Sequence, residues 1–154
     1  MSQVHLPSML RAGLIVGAFD AIAAIVHAYG FRGTTPGQVF RYVASGALGP
    51  AAREGGAGTA LLGLGFHFFI AVCWTGLFFL LWPRIRTVSA RPIVAGPVYG
   101  LFVWAMMNFV VVPLSRIGPV PVRLAAPTVA MVLIHMFVIG WPMARFAAAS
   151  AGRA

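Results

Sequence analysis

The sequence contains no lysine and only two acidic residues, Asp20 and Glu54. Charged residues make up 8% of the chain, whereas roughly a quarter of an ordinary soluble domain is charged. This scarcity excludes a water-soluble domain, which needs polar surface to cover its core. All basic residues are arginines, and they lie at the ends of apolar segments rather than among polar neighbours. We therefore expect no nucleic acid partner, because nucleic-acid-binding proteins collect their basic residues on one face.

Motifs for covalent chemistry are also missing. Cys73 is the only cysteine, so the chain has no CxxC pair and no intrachain disulfide. The sequence has no GxxxxGK[ST] phosphate loop and no Ser/His/Asp set with a recognisable spacing. We therefore expect a protein that is not an enzyme.

Apolar residues are abundant and fall into four segments, each long enough to cross a bilayer as a helix of about 20 residues. Hydrophobic residues account for 60% of the 154 positions. The predicted spans are 9–31, 59–82, 93–112 and 128–146. Together with short connections they occupy the whole chain, so we predict an all-α polytopic membrane protein with a single transmembrane domain, residues 1–154.

The segment between the first two spans carries the signals of a short helix at residues 35–47. Thr35 is a typical N-cap, Pro36 suits the first helical position, and Gln38 completes a capping box. Val39, Phe40 and Val43 share one side, and Arg41 falls on the other. A helix this short cannot span a bilayer, so we predict an interfacial or re-entrant helix with Arg41 towards water or lipid headgroups.

Four spans place both termini on the same side of the membrane. The arginines on that side are Arg11, Arg84, Arg86, Arg91, Arg145 and Arg153, and those on the opposite side are Arg32, Arg41, Arg53, Arg116 and Arg123. The totals differ by one, but three arginines of the first group share the short loop between the second and third spans. Short cytoplasmic loops are enriched in arginine and lysine, so we predict that both termini are cytoplasmic.

Other features of the spans concern packing. The pairs Gly13/Gly17 and Gly96/Gly100 match the GxxxG spacing of close helix contacts, inside one bundle or between chains. Aromatic residues near span ends are typical of anchors at the lipid interface. The predicted anchors are Trp82, Trp104, Trp141 and Tyr99.

Each predicted span contains a polar side chain, and a polar group in lipid is costly enough to be a functional candidate. By helical rise, all of these side chains lie at the midplane or in the half of the membrane away from the termini. They are Asp20, His27, His67, Asn108 and His135. We predict that Asp20, His67 and His135 form one polar cluster, with His27 and Asn108 nearer its mouth.

Three interpretations of this cluster stay open. In the first, the side chains hydrogen-bond between helices and only fix the packing, as in an accessory or structural subunit of a homo-oligomer or a larger membrane complex. In the second, they line an outward-facing polar pocket that binds or passes a small ligand, a proton or a cation.

The third interpretation is a cofactor site. His67 and His135 lie at similar depths on different helices, as axial haem ligands do, and with Asp20 they offer a divalent metal one carboxylate and two imidazoles. The spacings HxxxH, CxxCH and HExxH are absent. We therefore expect no cofactor, with haem or a divalent metal as the alternative.

Three short runs carry a resemblance to known sequences: Ser45–Pro50 (SGALGP), Leu64–Ile70 (LGFHFFI) and Leu133–Phe137 (LIHMF). With these runs the chain resembles a group of small, uncharacterised bacterial four-helix membrane proteins of similar length. The resemblance implies a four-helix fold and a bacterial inner membrane. It implies no activity.

Overall fold

The computed structural model describes residues 6–152, and every regular element in that range is a helix. Four helices are long and apolar enough to cross a bilayer: α1 (Leu6–Arg32), α3 (Ala57–Val88), α4 (Pro92–Leu114) and α5 (Ala126–Ala151). A shorter helix, α2 (Pro36–Leu48), follows α1. The predicted fold class is confirmed, and the chain is a multi-pass membrane protein. Arg153, one of the arginines counted on the terminal side, lies outside the described residues.

The surface of the bundle is apolar where the helices would meet lipid. Leu61 and Phe69 of α3 are each 68% exposed, and Val98 of α4 is 64% exposed. A soluble protein rarely leaves a large apolar area facing water, whereas lipid hydrocarbon accepts it at no cost. The exposed side chains therefore fit a bundle surrounded by hydrocarbon.

Helix α3 is longer than the sequence predicts. The predicted second span ends at Trp82, but α3 continues through Pro83 to Val88. Its 32 residues extend about 48 Å at the usual helical rise, compared with about 30 Å for the hydrocarbon core. The last turns, with Arg84 and Arg86, therefore extend beyond the hydrocarbon.

Glycines set the closest contacts between the long helices. Gly13 and Gly17 of α1 face Val72, Phe68 and Ala71 of α3, and a methyl group on Gly17 would lie 2.9 Å from the Phe68 ring. On the other side of the bundle, Gly96 and Gly100 of α4 meet the α5 backbone at Gly140 and His135. Both GxxxG pairs therefore act inside the bundle.

The core lies in the half of the bundle near the chain termini. Val16, Phe78 and Met143 are fully buried there. Trp82 and Tyr99, predicted as interfacial anchors, are each 5% exposed and belong to this core. That prediction is wrong for these two residues because both rings pack against the buried Phe78 of α3, Tyr99 at 4.6 Å and Trp82 at 5.6 Å between ring centroids.

Helix α2 begins as the capping box predicts and crosses α3 at Gly63. The Gln38 side chain accepts a hydrogen bond from the Thr35 backbone N–H at 2.8 Å. Gly63 is so close to the Phe40 carbonyl that a side chain at this position would collide with the α2 backbone. Arg41 is half-buried, and its Nε is shielded from solvent without a hydrogen-bond partner in the described part of the chain.

Two π-helical segments interrupt the long helices, at Met107–Val111 in α4 and Ile134–Gly140 in α5. Each ends two residues before a proline, Pro113 or Pro142. Proline has no N–H to donate to the carbonyl four residues earlier. A wider hydrogen-bond register is one way for a helix to accommodate that loss.

Candidate functional site

Asp20 and His67 form a polar contact between α1 and α3. The Nε2 atom of His67 in α3 lies 3.9 Å from Oδ2 of Asp20 in α1. The His67 side chain is 12% exposed and that of Asp20 is 25% exposed. The pair is therefore largely withdrawn from the surface, and the carboxylate remains the more accessible partner.

The hydrogen bond of His67 shows which of its ring nitrogens carries a proton. Nε2 lies 2.9 Å from the carbonyl oxygen of Gly17, and a carbonyl oxygen only accepts. Nε2 therefore carries a proton and donates it to Gly17, which leaves Nδ1 as the nitrogen that gains or loses a proton. Protonation at Nδ1 makes the ring a cation beside the Asp20 carboxylate, so the two charges then compensate each other.

Aromatic rings enclose the imidazole of His67. The Phe40 ring lies 6.0 Å from it at an interplanar angle of 70°, and the Phe68 ring lies at 5.6 Å and 84°. Phe68 neighbours His67 in α3, but Phe40 reaches the site only because α2 crosses α3 at Gly63. The short helix thus supplies one wall of the site.

His27 joins α1 to α5 away from this pair. Its Nε2 lies 2.8 Å from the carbonyl oxygen of Pro127, in the first turn of α5. The ring also lies 4.9 Å from the ring of Phe31. This hydrogen bond connects the ends of two spanning helices on the α2 side of the bundle.

Asn108 and His135 bond to their own helices. Asn108 donates from Nδ2 to the Trp104 carbonyl at 2.9 Å, and His135 donates from Nδ1 to the Met131 carbonyl at 2.9 Å. Both side chains lie in the π-helical segments, where carbonyls lose their regular helical register. Backbone carbonyls of their own helices therefore accept the hydrogen bonds of these two side chains, which the sequence predicted to share one polar cluster.

Of the five predicted pocket residues, the structure brings only Asp20 and His67 into direct polar contact. Within residues 6–152, no hydrogen bond or ion pair joins His27, Asn108 or His135 to either of them. The alternative of a divalent-metal site at Asp20, His67 and His135 gains no support, because no three His, Cys, Asp or Glu side chains in that range are grouped to hold an ion.

An open groove of about 610 Å³ lies between α1 and α5, and it is apolar rather than polar. Of the predicted pocket residues only His27 lines it. The polar pair and the cavity are therefore separate features, one between α1 and α3 and the other between α1 and α5.

Sequence reasoning missed the role of Gly17 as the hydrogen-bond partner of His67. The signal was present, because Gly17 ends the Gly13/Gly17 motif one turn before Asp20. A glycine leaves its backbone carbonyl open to a neighbouring helix, so the motif marks both the close contact and the acceptor.

Comparison of the chain with protein-family models, with curated proteins and with solved structures finds no match in any of the three. The functional inference therefore rests on the geometry of the site.

Proposed function

We propose that this chain is a non-enzymatic protein of the bacterial inner membrane in which the Asp20–His67 pair binds and releases a proton. The observation that carries the proposal is the 3.9 Å contact between the only acidic residue of the four spans and an imidazole. An unpaired carboxylate in hydrocarbon is costly, and a cationic ring beside it offsets that cost. Protonation of His67 at Nδ1 turns the site from anionic to neutral.

The position of the pair supports exchange with the side opposite the chain termini. Asp20 lies near the middle of α1, and His67 lies in the half of α3 closer to α2. The ring of Phe40 in α2, the short helix on that side, lies 6.0 Å from the imidazole. Arginines at the end of α3 and in the connection after it favour cytoplasmic termini, namely Arg84, Arg86 and Arg91. The proton therefore exchanges with the exterior in this proposal.

A ¹⁵N NMR titration of protein labelled at histidine, in lipid nanodiscs, tests the proposal. Replacing Asp20 with Asn removes the negative charge and keeps a hydrogen-bonding side chain of the same size. We expect the protonation of His67 to respond to this substitution, because it removes the carboxylate that lies 3.9 Å from Nε2. The His67→Gln variant identifies the signal of His67.

His27 and His135 are internal controls, because both bond to backbone carbonyls and neither contacts Asp20. Their titrations should be the same in wild type and Asp20→Asn. A His67 signal that the Asp20→Asn substitution leaves unchanged would show that the pair only fixes helix packing, and the proposed proton site would be rejected.

A further inference from the structure

The groove between α1 and α5 opens laterally within the membrane-spanning part of the bundle. Its α1 wall and its α5 wall are apolar side chains spaced three or four residues apart. They include Phe19, Ile22 and Val26 from α1 and Ala130, Ile134 and Val138 from α5. Spacing of this kind gives a continuous strip along each helix, so the groove runs parallel to the spans.

The chemistry of the lining matches hydrocarbon. His27 is the polar side chain in the wall, and its Nε2 already donates to the Pro127 carbonyl. Water would find few partners in such a groove, because a stable water site needs several polar groups. A flexible chain of methylene groups fills it without leaving a polar atom unpaired.

Two exposed arginines flank the end of the groove on the α2 side. Arg32 directly follows the lining residue Phe31, five residues after His27, which places it about 8 Å further along the α1 axis. Arg123 precedes Pro127 by four residues, at most about 13 Å of extended chain. Because the His27–Pro127 hydrogen bond joins the two helices here, both guanidinium groups belong to the same end of the groove.

We propose that this groove holds one acyl chain of an anionic phospholipid, whose phosphate pairs with Arg32 and Arg123. Neither arginine forms an ion pair with another side chain in the described part of the chain. Arginine binds phosphate oxygens through two parallel N–H donors, and it does so strongly where the pair is partly withdrawn from water. The site thus combines an apolar wall with an anion-binding end, which distinguishes it from ordinary lipid contact around the bundle.

Photocrosslinking tests the site with phosphatidylglycerol that carries a diazirine on one acyl chain, in vesicles of phosphatidylcholine. We expect crosslinks on Ile22, Val26 and Ile134 in preference to lipid-facing residues elsewhere. Gly30 lines the groove and has open space where a side chain would be added. A Gly30→Leu variant should fold and lose most of these crosslinks, because the leucine side chain occupies space that the acyl chain would fill.

Gly65→Leu is the matched control, because Gly65 also faces open space but lies in α3, outside the groove lining. It should leave the crosslinks unchanged. If Gly30→Leu fails to fold, as judged by circular dichroism and gel filtration, Ala130→Leu is tested in its place. It fills the same groove from α5.

The headgroup is tested separately with an Arg32→Gln/Arg123→Gln double variant. We expect it to remove the preference for phosphatidylglycerol over a phosphatidylcholine probe, whereas Arg84→Gln/Arg86→Gln on the other side of the bundle should not. Crosslinks spread evenly over the bundle, or equal labelling by both probes in the wild type, would overturn the proposal. So would a change of oligomeric state in Gly30→Leu without loss of crosslinks, since the groove would then hold a second copy of the chain.

Discussion

Gly96 of α4 and Gly140 of α5 lie against each other's backbone, so that a methyl group added to Gly96 would lie 2.6 Å from the Gly140 carbonyl oxygen. The atoms that a side chain would meet belong to the backbone and cannot rotate away. Two spanning helices are therefore held at a distance that only glycine permits at these positions.

Gly96→Ala should lower the free energy of unfolding by about 1–3 kcal/mol, the usual cost of overpacking a closely packed site. Thermal unfolding in detergent micelles measures the change. Gly65→Ala is the control, because a methyl group at Gly65 meets no atom within 4 Å. Alanine is favoured over glycine in a helix by up to about 1 kcal/mol, so the control should be neutral or stabilising. Equal effects of the two variants would contradict the close contact.

Gly63→Ala should detach α2 from α3 without unfolding the spanning helices. The added methyl group would collide with the Phe40 carbonyl, and α2 has 13 residues whereas α3 has 32. We expect faster cleavage by trypsin at the half-buried Arg41, with little change in helical content by circular dichroism. Gly65→Ala, two residues further along α3 and facing open space, should be cleaved at the wild-type rate. An unchanged rate in Gly63→Ala would show that α2 does not depend on this contact.

Tyr99→Phe tests a buried hydrogen bond of the core. The Tyr99 hydroxyl donates to the Trp74 carbonyl at 2.8 Å, and the side chain is 5% exposed. Its removal should cost about 0.5–1.5 kcal/mol of stability, the usual net value of such a bond. Tyr29→Phe provides the comparison, because Tyr29 is 67% exposed and should change stability by only a few tenths of a kcal/mol.

Cysteine labelling tests the predicted orientation. Cys73 is exposed in the bundle and is first replaced by alanine. A Ser89→Cys variant in that background, in the connection between α3 and α4, should not react with a membrane-impermeant reagent in intact cells. Val120→Cys, in the connection between α4 and α5, should react. The reverse pattern would place both termini outside the cytoplasm.

The number and order of the helices could be predicted from the sequence because each spanning helix has its own signal. An apolar stretch of about 20 residues satisfies all of its backbone hydrogen bonds internally, whatever its neighbours are. The start of α2 is equally local, since Thr35 and Gln38 lie within one turn of each other. The end of α3 was predicted less well, because Pro83 can stay in a helix where its missing hydrogen bond is tolerated.

The partners of the polar side chains could not be predicted in the same way. Depth in the membrane follows from position in the sequence, and it placed Asp20, His67 and His135 in the same half of the bilayer. The direction in which each side chain points depends on how the helices are rotated against one another. His67 reaches the Gly17 carbonyl and Asp20 because α1 and α3 meet at glycines, whereas His135 turns back to its own helix.

The sequence by itself determined a bundle of four spanning helices with a short capped helix, because hydropathy and capping act over distances of a few residues. Only the tertiary structure decided that Asp20 pairs with His67, that Tyr99 and Trp82 are core residues, and that an apolar groove lies between α1 and α5. These features depend on which faces of the helices meet. Close contact at Gly17, Gly63 and Gly96 fixes those faces, and every such contact joins residues that are distant in the chain.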